Sequence, residues 1–475
     1  MSALAIALTV LPAALPPPEP WEPPAEPIIQ ASGRFLIERD TFGTFPNIHL
    51  SDRVAIKWGD DLDVDPDDVE RIAEAFEESW SLFVDERGMA PPVGSDAFFL
   101  NVYIGNSGAP APSIGTALGY FTTDSEDAPM IVLQPGRFDP DDDSGRETAT
   151  HELFHALQHA ARGFGTDWTW FTEASATWSQ EEVWDPARSA ARRVQSYATT
   201  PHLPIHVVEE SDSDWRLGQR HYGAFLFPRF LSERLDDPSL VLDTFEGEGT
   251  ALEALTEAVA ARGGELGALF GEFAAANATW DYDRGALYAT MAEAPLGPVG
   301  YELEEGPPRG WDDWRSPPPD RTPEAWGWDL VRIPEPAPGV LRARFESHAP
   351  CDVRAWVHVV QDGDDGPTTT PLVTGGRVGS ADLLVDGRPI TLAVAFTGSG
   401  GGAADYQYFL EIDGGAIPAP SWAEAIESCD EPEVLPPRLG AWGPGCAVGG
   451  DGGGGVFALL GAVALRRRKG ARAGP

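Results

Sequence analysis

Ser144-Gly-Arg-Glu-Thr-Ala-Thr-His151-Glu-Leu-Phe-His155-Ala-Leu-Gln-His-Ala-Ala-Arg162 is the stretch on which the reading of this chain turns. It predicts a helix over 145–162. Ser144 and Glu147 have the spacing of a capping box, and Gly163 reads as a C-terminal stop. His151 and His155 are four residues apart, so their imidazoles share one helix face, one turn apart. That is the geometry with which two nitrogen ligands hold one tetrahedral zinc ion. Glu152 stands beside them, where its carboxylate can reach a water on such an ion.

A third ligand has three candidates. His159 continues the same face but lies a further turn away, too far to share the ion. A histidine six residues after His155 is the metzincin position, and here it is Ala161. Glu173 follows His155 by 18 residues, in Trp170-Phe-Thr-Glu-Ala-Ser-Ala-Thr-Trp178 at the start of a second helical segment, 170–184. Residues 163–167 supply the turn that brings this segment back.

His-Glu-x-x-His followed at this spacing by a helix-borne Glu resembles the gluzincin zinc metallopeptidases. The Glu-Ala-Ser-Ala-Thr-Trp run is most similar to their aminopeptidase-type branch. The resemblance implies a zincin-like catalytic domain in which His151, His155 and Glu173 bind one catalytic Zn2+ and Glu152 is general base and proton shuttle. It also implies an oxyanion donor. In Arg220-His-Tyr-Gly-Ala-Phe225, Tyr222 stands 49 residues past Glu173, as the transition-state tyrosine does in that branch. His221 is the alternative, by analogy with thermolysin-like enzymes. The chain departs from the branch at 114–122, which offers Gly115 and Gly119 but no Glu to hold a substrate's free amine. The expected activity is therefore endopeptidase cleavage of peptide or protein substrates, with 118–122 as an edge strand able to pair with an extended peptide. Thr177 replaces the Asp that orients a zinc-bound histidine in thermolysin-like sites, which leaves Glu181 and Glu182 as candidates for that task. The competing expectation is a catalytically inactive zincin-like surface protein whose β-domain binds glycan or protein.

The rest of the chain frames this helix. Strands are expected at 50–58, 97–104, 119–122 and 130–133, with a helix over 67–86 whose Val69, Ile72, Phe76, Trp80 and Phe83 recur at spacings of three and four. Helical segments follow at 219–235, 238–246, 249–262 and 264–278. Residues 281–325 are Pro-, Gly- and Trp-rich without a clear period. Six short strands between 326 and 415 suggest a β-sandwich. The expected fold class is thus α+β: an N-terminal twisted sheet with the active-site helix, then a helical subdomain, within 31–280, and an all-β sandwich at 326–415.

Composition bounds the partners. The chain has 475 residues with 33 Lys and Arg against 75 Asp and Glu, a formal charge of −42, so binding to nucleic acid or an anionic membrane is disfavoured. The acidic runs 60–68 and 139–143 fail as calcium loops, because Pro66 and Ile72 stand where an EF-hand needs Gly and Glu. Cys351, Cys429 and Cys446 rule out a cysteine-rich zinc motif; Cys351 and Cys429 are either one disulfide or two thiols. Residues 1–15 resemble the apolar core of a secretory signal peptide, and 16–30 read as a Pro-rich linker. A second linker spans 416–444. At 445–475, Gly-Cys, a short apolar run and Arg466-Arg-Arg-Lys469 resemble the C-terminal sorting signal of myxobacterial surface proteins. That resemblance implies export to the cell surface, with membrane contact only through the tail. With the motif region, the chain resembles secreted metalloproteases from myxobacteria.

Overall fold

In the computed structural model the described residues are 28–29, 35–36 and 41–412, apart from 125–126, 140–142, 209–214, 294–300, 303–313, 334–335, 362, 365 and 400–403. The apolar run at 1–15, the tail at 445–475, Cys429 and Cys446 lie outside them. Cys351 is disulfide-bonded.

β1 (Ile28–Ile29) and β2 (Phe35–Leu36) pair antiparallel. The first large sheet contains β3 (Asn47–Leu50), β4 (Val54–Trp58), β5 (Leu100–Ile104), β6 (Gly119–Thr123) and β7 (Pro129–Leu133), in the order β3-β4-β5-β7-β6. β4, β5 and β7 run parallel, and the two outer strands run antiparallel to their neighbours. The single strand expected at 50–58 is two, because Ser51 donates its N–H to the Val54 carbonyl and turns the chain. Alternation along the central strands faces both sides inward. Val102, Ile104, Ile131 and Leu133 meet the helices, while Tyr103, Met130 and Val132 fill a smaller core on the other face.

Two helices cover the first face. α1 (Pro66–Trp80) begins at Asp65, whose carboxylate accepts from the Asp67 N–H, and Pro66 fits its first turn because no intrahelical N–H is needed there. A π-turn, Ser81–Glu86, continues it. α2 (Ser144–Arg162) carries the histidine motif and buries Ala149, Leu153 and Ala156 against the sheet. Full burial of Leu153 contributes about 1.5–3 kcal/mol. Gly163 ends α2 at φ 73°, the left-handed region that glycine enters at little cost. The expected capping box is not formed. Asp143 is the N-cap without a side-chain bond, and Glu147 is turned instead to the N-terminus of another helix.

α3 (Thr169–Val183) returns antiparallel to α2. α4 (Arg188–Ala191), α5 (Val194–Ala198), α6 (Trp215–Gly223), α7 (Leu226–Arg234), α8 (Ser239–Asp243), α9 (Ala251–Ala261), α10 (Leu266–Thr279) and α11 (Gly285–Glu293) complete the helical region. The helix expected over 219–235 is broken into α6 and α7. Pro228, which has no N–H to donate, falls in the first turn of α7, where none is required. α11 lies within the stretch expected to lack a period.

β8 (Tyr301–Glu302), β9 (Trp328–Ile333), β10 (Gly339–Ser347), β11 (Val353–Gln361), β12 (Thr368–Gly376), β13 (Val378–Val385), β14 (Ile390–Gly398) and β15 (Tyr406–Ile412) form two sheets, β12-β11-β14-β9-β8 and β13-β10-β15. Val331, Val357, Val394 and Phe396 share one core with Leu341, Phe345 and Tyr408 of the three-stranded sheet. Their neighbours Leu330, Trp356, Ala393 and Ala395 face the opposite way, into the core of the helical region. The fold is α+β, with the middle sheet covered by a helical layer on one side and a second sheet on the other.

α10 makes the helical contact. A Cβ on Gly271 would lie 2.5 Å from the Trp356 Cβ, and one on Gly267 would lie 2.8 Å from the indole. Gly271→Ala should therefore destabilise the protein by about 1–3 kcal/mol through overpacking. Alanine in an open helix interior would instead stabilise by about 1 kcal/mol, so the sign of the change in denaturant midpoint is the test.

Candidate metal centre

α2 and α3 are tied at both ends by side-chain amides. Gln158 donates its Nε2 protons to the Thr172 carbonyl at 2.9 Å and to Ser175 Oγ at 3.0 Å. Gln180 donates to the Glu147 carbonyl at 2.9 Å. The pairing fixes the offset of the two helices and brings Glu173 opposite the histidines.

His151 Nε2 and His155 Nε2 are 3.1 Å apart. They lie 3.2 and 3.4 Å from Glu173 Oε2. A tetrahedral ion with bonds of about 2.0–2.1 Å has ligand–ligand edges of about 3.3–3.4 Å, so the three atoms already mark one face of such a tetrahedron. Among the described residues this is the group of His, Cys, Asp and Glu side chains that could hold a metal ion. The side chains of His151 and His155 keep 10% exposure and that of Glu173 keeps 14%. The cluster is therefore almost, but not fully, withdrawn from solvent.

The Gln158 bonds also decide a tautomer. Because its Nε2 donates to Thr172 and Ser175, its Oε1 is the atom 2.8 Å from His155 Nδ1, and that oxygen can only accept. The His155 Nδ1 therefore carries the proton toward Gln158, and Nε2 points at Glu173. Neither Glu181 nor Glu182 does this work. Glu181 binds Arg284 and Tyr288, and Glu182 binds Arg87 and Arg229. The Thr177 hydroxyl bonds back to the Glu173 carbonyl.

Electrostatics divides the four groups. Burial pulls His151 down to about 4, despite the facing Glu173. Burial alone would lower His155 as well, but the Glu173 and Glu152 carboxylates outweigh it and raise it to about 9. Burial would raise Glu173, yet the two histidines hold it well below the usual carboxylate range. The carboxylates around His155 thus favour positive charge at this place, and a metal ion bound there would take the place of a proton. Burial raises Glu152 to about 7 against the pull of His155 and a hydrogen bond from the Phe121 N–H. That hydrogen bond places the Glu152 carboxylate under β6, the edge strand. A Cβ on Gly119 would lie 3.0 Å from both Cγ and Oε1 of Glu152, so a larger residue there would crowd the carboxylate.

Of the remaining candidates, the structure brings Tyr222 to the cluster. Its ring lies 5.8 Å from that of His151, and burial and the nearby Glu173 hold its hydroxyl protonated, well above its usual range. The His221 ring lies 4.4 Å from that of Tyr222, tilted by 39°, and is fully buried. His159 sits between Phe121 and Phe164, away from the cluster. Two neighbours escape the motif reading. Gln158 is legible in retrospect, three residues after His155 on the same helix. Arg193, whose guanidinium lies 4.9 Å over the Tyr222 ring, carries no spacing signal.

Gln158→Leu removes the acceptor for His155 Nδ1 and should weaken zinc binding about 10- to 100-fold, measured by chelator competition. Gln158→Glu keeps an acceptor and should lose less.

No protein-family model and no curated protein matches the chain. Among solved structures it is similar to one described as "Structure of infectious bursal disease virus Gx strain", at 14% identity and a TM-score of 0.14, over 23% of this chain and 32% of that one. The match thus spans about a third of that viral chain, and a likeness this slight carries no argument about the fold or the site.

Proposed function

We propose that this chain is an exported, surface-anchored zinc metallopeptidase with a zincin-like catalytic region, and that it cleaves within peptide chains. One observation carries the reading: three donor atoms converge at tetrahedral spacing beside a separate buried carboxylate, Glu152, that lies outside the ligand set. An open zinc site supplies, when loaded, a water of lowered pKa and a positive charge that polarises the scissile carbonyl.

The chain's own residues do the remainder. Glu152, poised near neutrality by burial, accepts a proton at its carboxylate and passes it to the departing amine. Tyr222 keeps its hydroxyl proton and donates it as a hydrogen bond to the oxyanion. β6 is the outermost strand of its sheet and lies beside Glu152, and an extended peptide would add along it as a further strand. The sequence has no Glu at 114–122 to capture a free amine, which favours cleavage within chains over removal of N-terminal residues. The proposed location rests on the two termini, both outside the described residues. No helix among the described residues is long and apolar enough to cross a membrane.

Purified protein should hold about one zinc per chain. Glu152→Gln should keep the metal and cut hydrolysis of a proteome-derived peptide library by about 10²–10⁴-fold, with mapped termini reporting internal cleavage. Protein without zinc would sink the reading, and zinc without cleavage would favour an inactive, glycan- or protein-binding relative. Tyr222→Phe should lower kcat by about 10²–10³-fold with little change in KM.

A further inference from the structure

The same site holds a cation that the reaction scheme leaves unused. Arg193 precedes α5, and its guanidinium lies over Tyr222. Gly223 makes this approach possible: a Cβ there would lie 2.4 Å from the Arg193 carbonyl and 2.8 Å from Ser196 Oγ. Ser196 Oγ in turn donates to the Gln219 carbonyl at 2.9 Å, pinning α5 onto α6. Arg193 is partly exposed and interacts electrostatically with Tyr222 and Glu173. Among the described residues its guanidinium makes no ion pair and no hydrogen bond.

The chain has 75 acids against 33 bases, so carboxylate partners are plentiful. Arg87, Arg229, Arg262 and Arg284 all pair with carboxylates within 3.0 Å. Glu173 and Glu147 act on the Arg193 guanidinium only through space, so its fork of donors, which matches a carboxylate, is left without a direct partner among the described residues. We propose that Arg193 binds a substrate carboxylate next to the scissile bond, making the site selective for peptides that present an acidic side chain or a free C-terminus there. This rests on the peptidase reading of the site, although the binding step does not need turnover. The overall charge of −42 repels acidic peptides, so such a preference has to come from a local cation.

The test measures binding to the full-length, zinc-loaded Glu152→Gln protein, with and without Arg193→Gln. The probes are fluorescent peptides in three matched forms: an Asp or Glu beside the central bond, the Asn or Gln equivalent, and a free against an amidated C-terminus close to that bond. With Arg193 present, one carboxylate form should bind about 10- to 100-fold more tightly than its neutral partner, and Arg193→Gln should erase the difference while leaving the neutral peptide within about threefold. Arg193→Lys should restore part of it, and unchanged far-ultraviolet circular dichroism excludes a folding effect. Which pair discriminates tells a side-chain from a terminal carboxylate. Equal binding of acid and neutral forms, or equal loss of both in Arg193→Gln, overturns the proposal. Absence of hydrolysis by wild-type protein counts against the peptidase reading alone.

Discussion

Two glutamine side chains set the relation on which the site depends. Gln158 and Gln180 tie opposite ends of α2 and α3, and both amides are spent on backbone carbonyls of the facing helix. Hydrophobic contact between the helices would tolerate sliding, since apolar packing is non-directional. The amide bonds do not. A shift of one residue would leave buried carbonyls and amides unpaired, at about 1–3 kcal/mol each. Glu173, next to Thr172 on α3, is thereby held within 3.4 Å of both histidines. The clamp that sets the offset also selects the His155 tautomer, so helix packing and ligand chemistry are one problem with one solution.

The parts legible in the sequence are those with a strong period. The face of α1, the histidine spacing and the start of α3 near Glu173 all follow from local repeats. What was hidden depended on partners distant in sequence. Glu147 reads as half of a capping box, yet its carboxylate accepts from the Ser189 N–H at 2.8 Å, capping α4 across the fold. β12 is not one of the six strands expected there, because Pro371, Gly375 and Gly376 interrupt its pattern. It is an edge strand with register shifts, the position where a sheet tolerates a residue with no N–H. α4 and α5 are too short to show a helical period, so Arg193 could not be placed beside Tyr222 from spacing alone.

The neighbourhood of the cluster is assembled from three kinds of support. α2 brings the histidines and Glu152, the edge strand β6 lies over Glu152, and α6 delivers Tyr222. Glu147, also on α2, caps the helix just before Arg193. One helix therefore carries both histidines and anchors the segment that holds Arg193.

The middle sheet carries its own constraint. On β14, alanines 393 and 395 face α10, while Leu392, Val394 and Phe396 face the second sheet. Slipping that strand by one residue would drive a phenylalanine into the narrow gap under α10 and leave a hollow between the sheets. Each side chain is thus sized for one neighbour and wrong for the other, so the two cores act as a ratchet. Mutational drift on either side is limited by the space available on the opposite one, and the β region and the helical region are bound to change together.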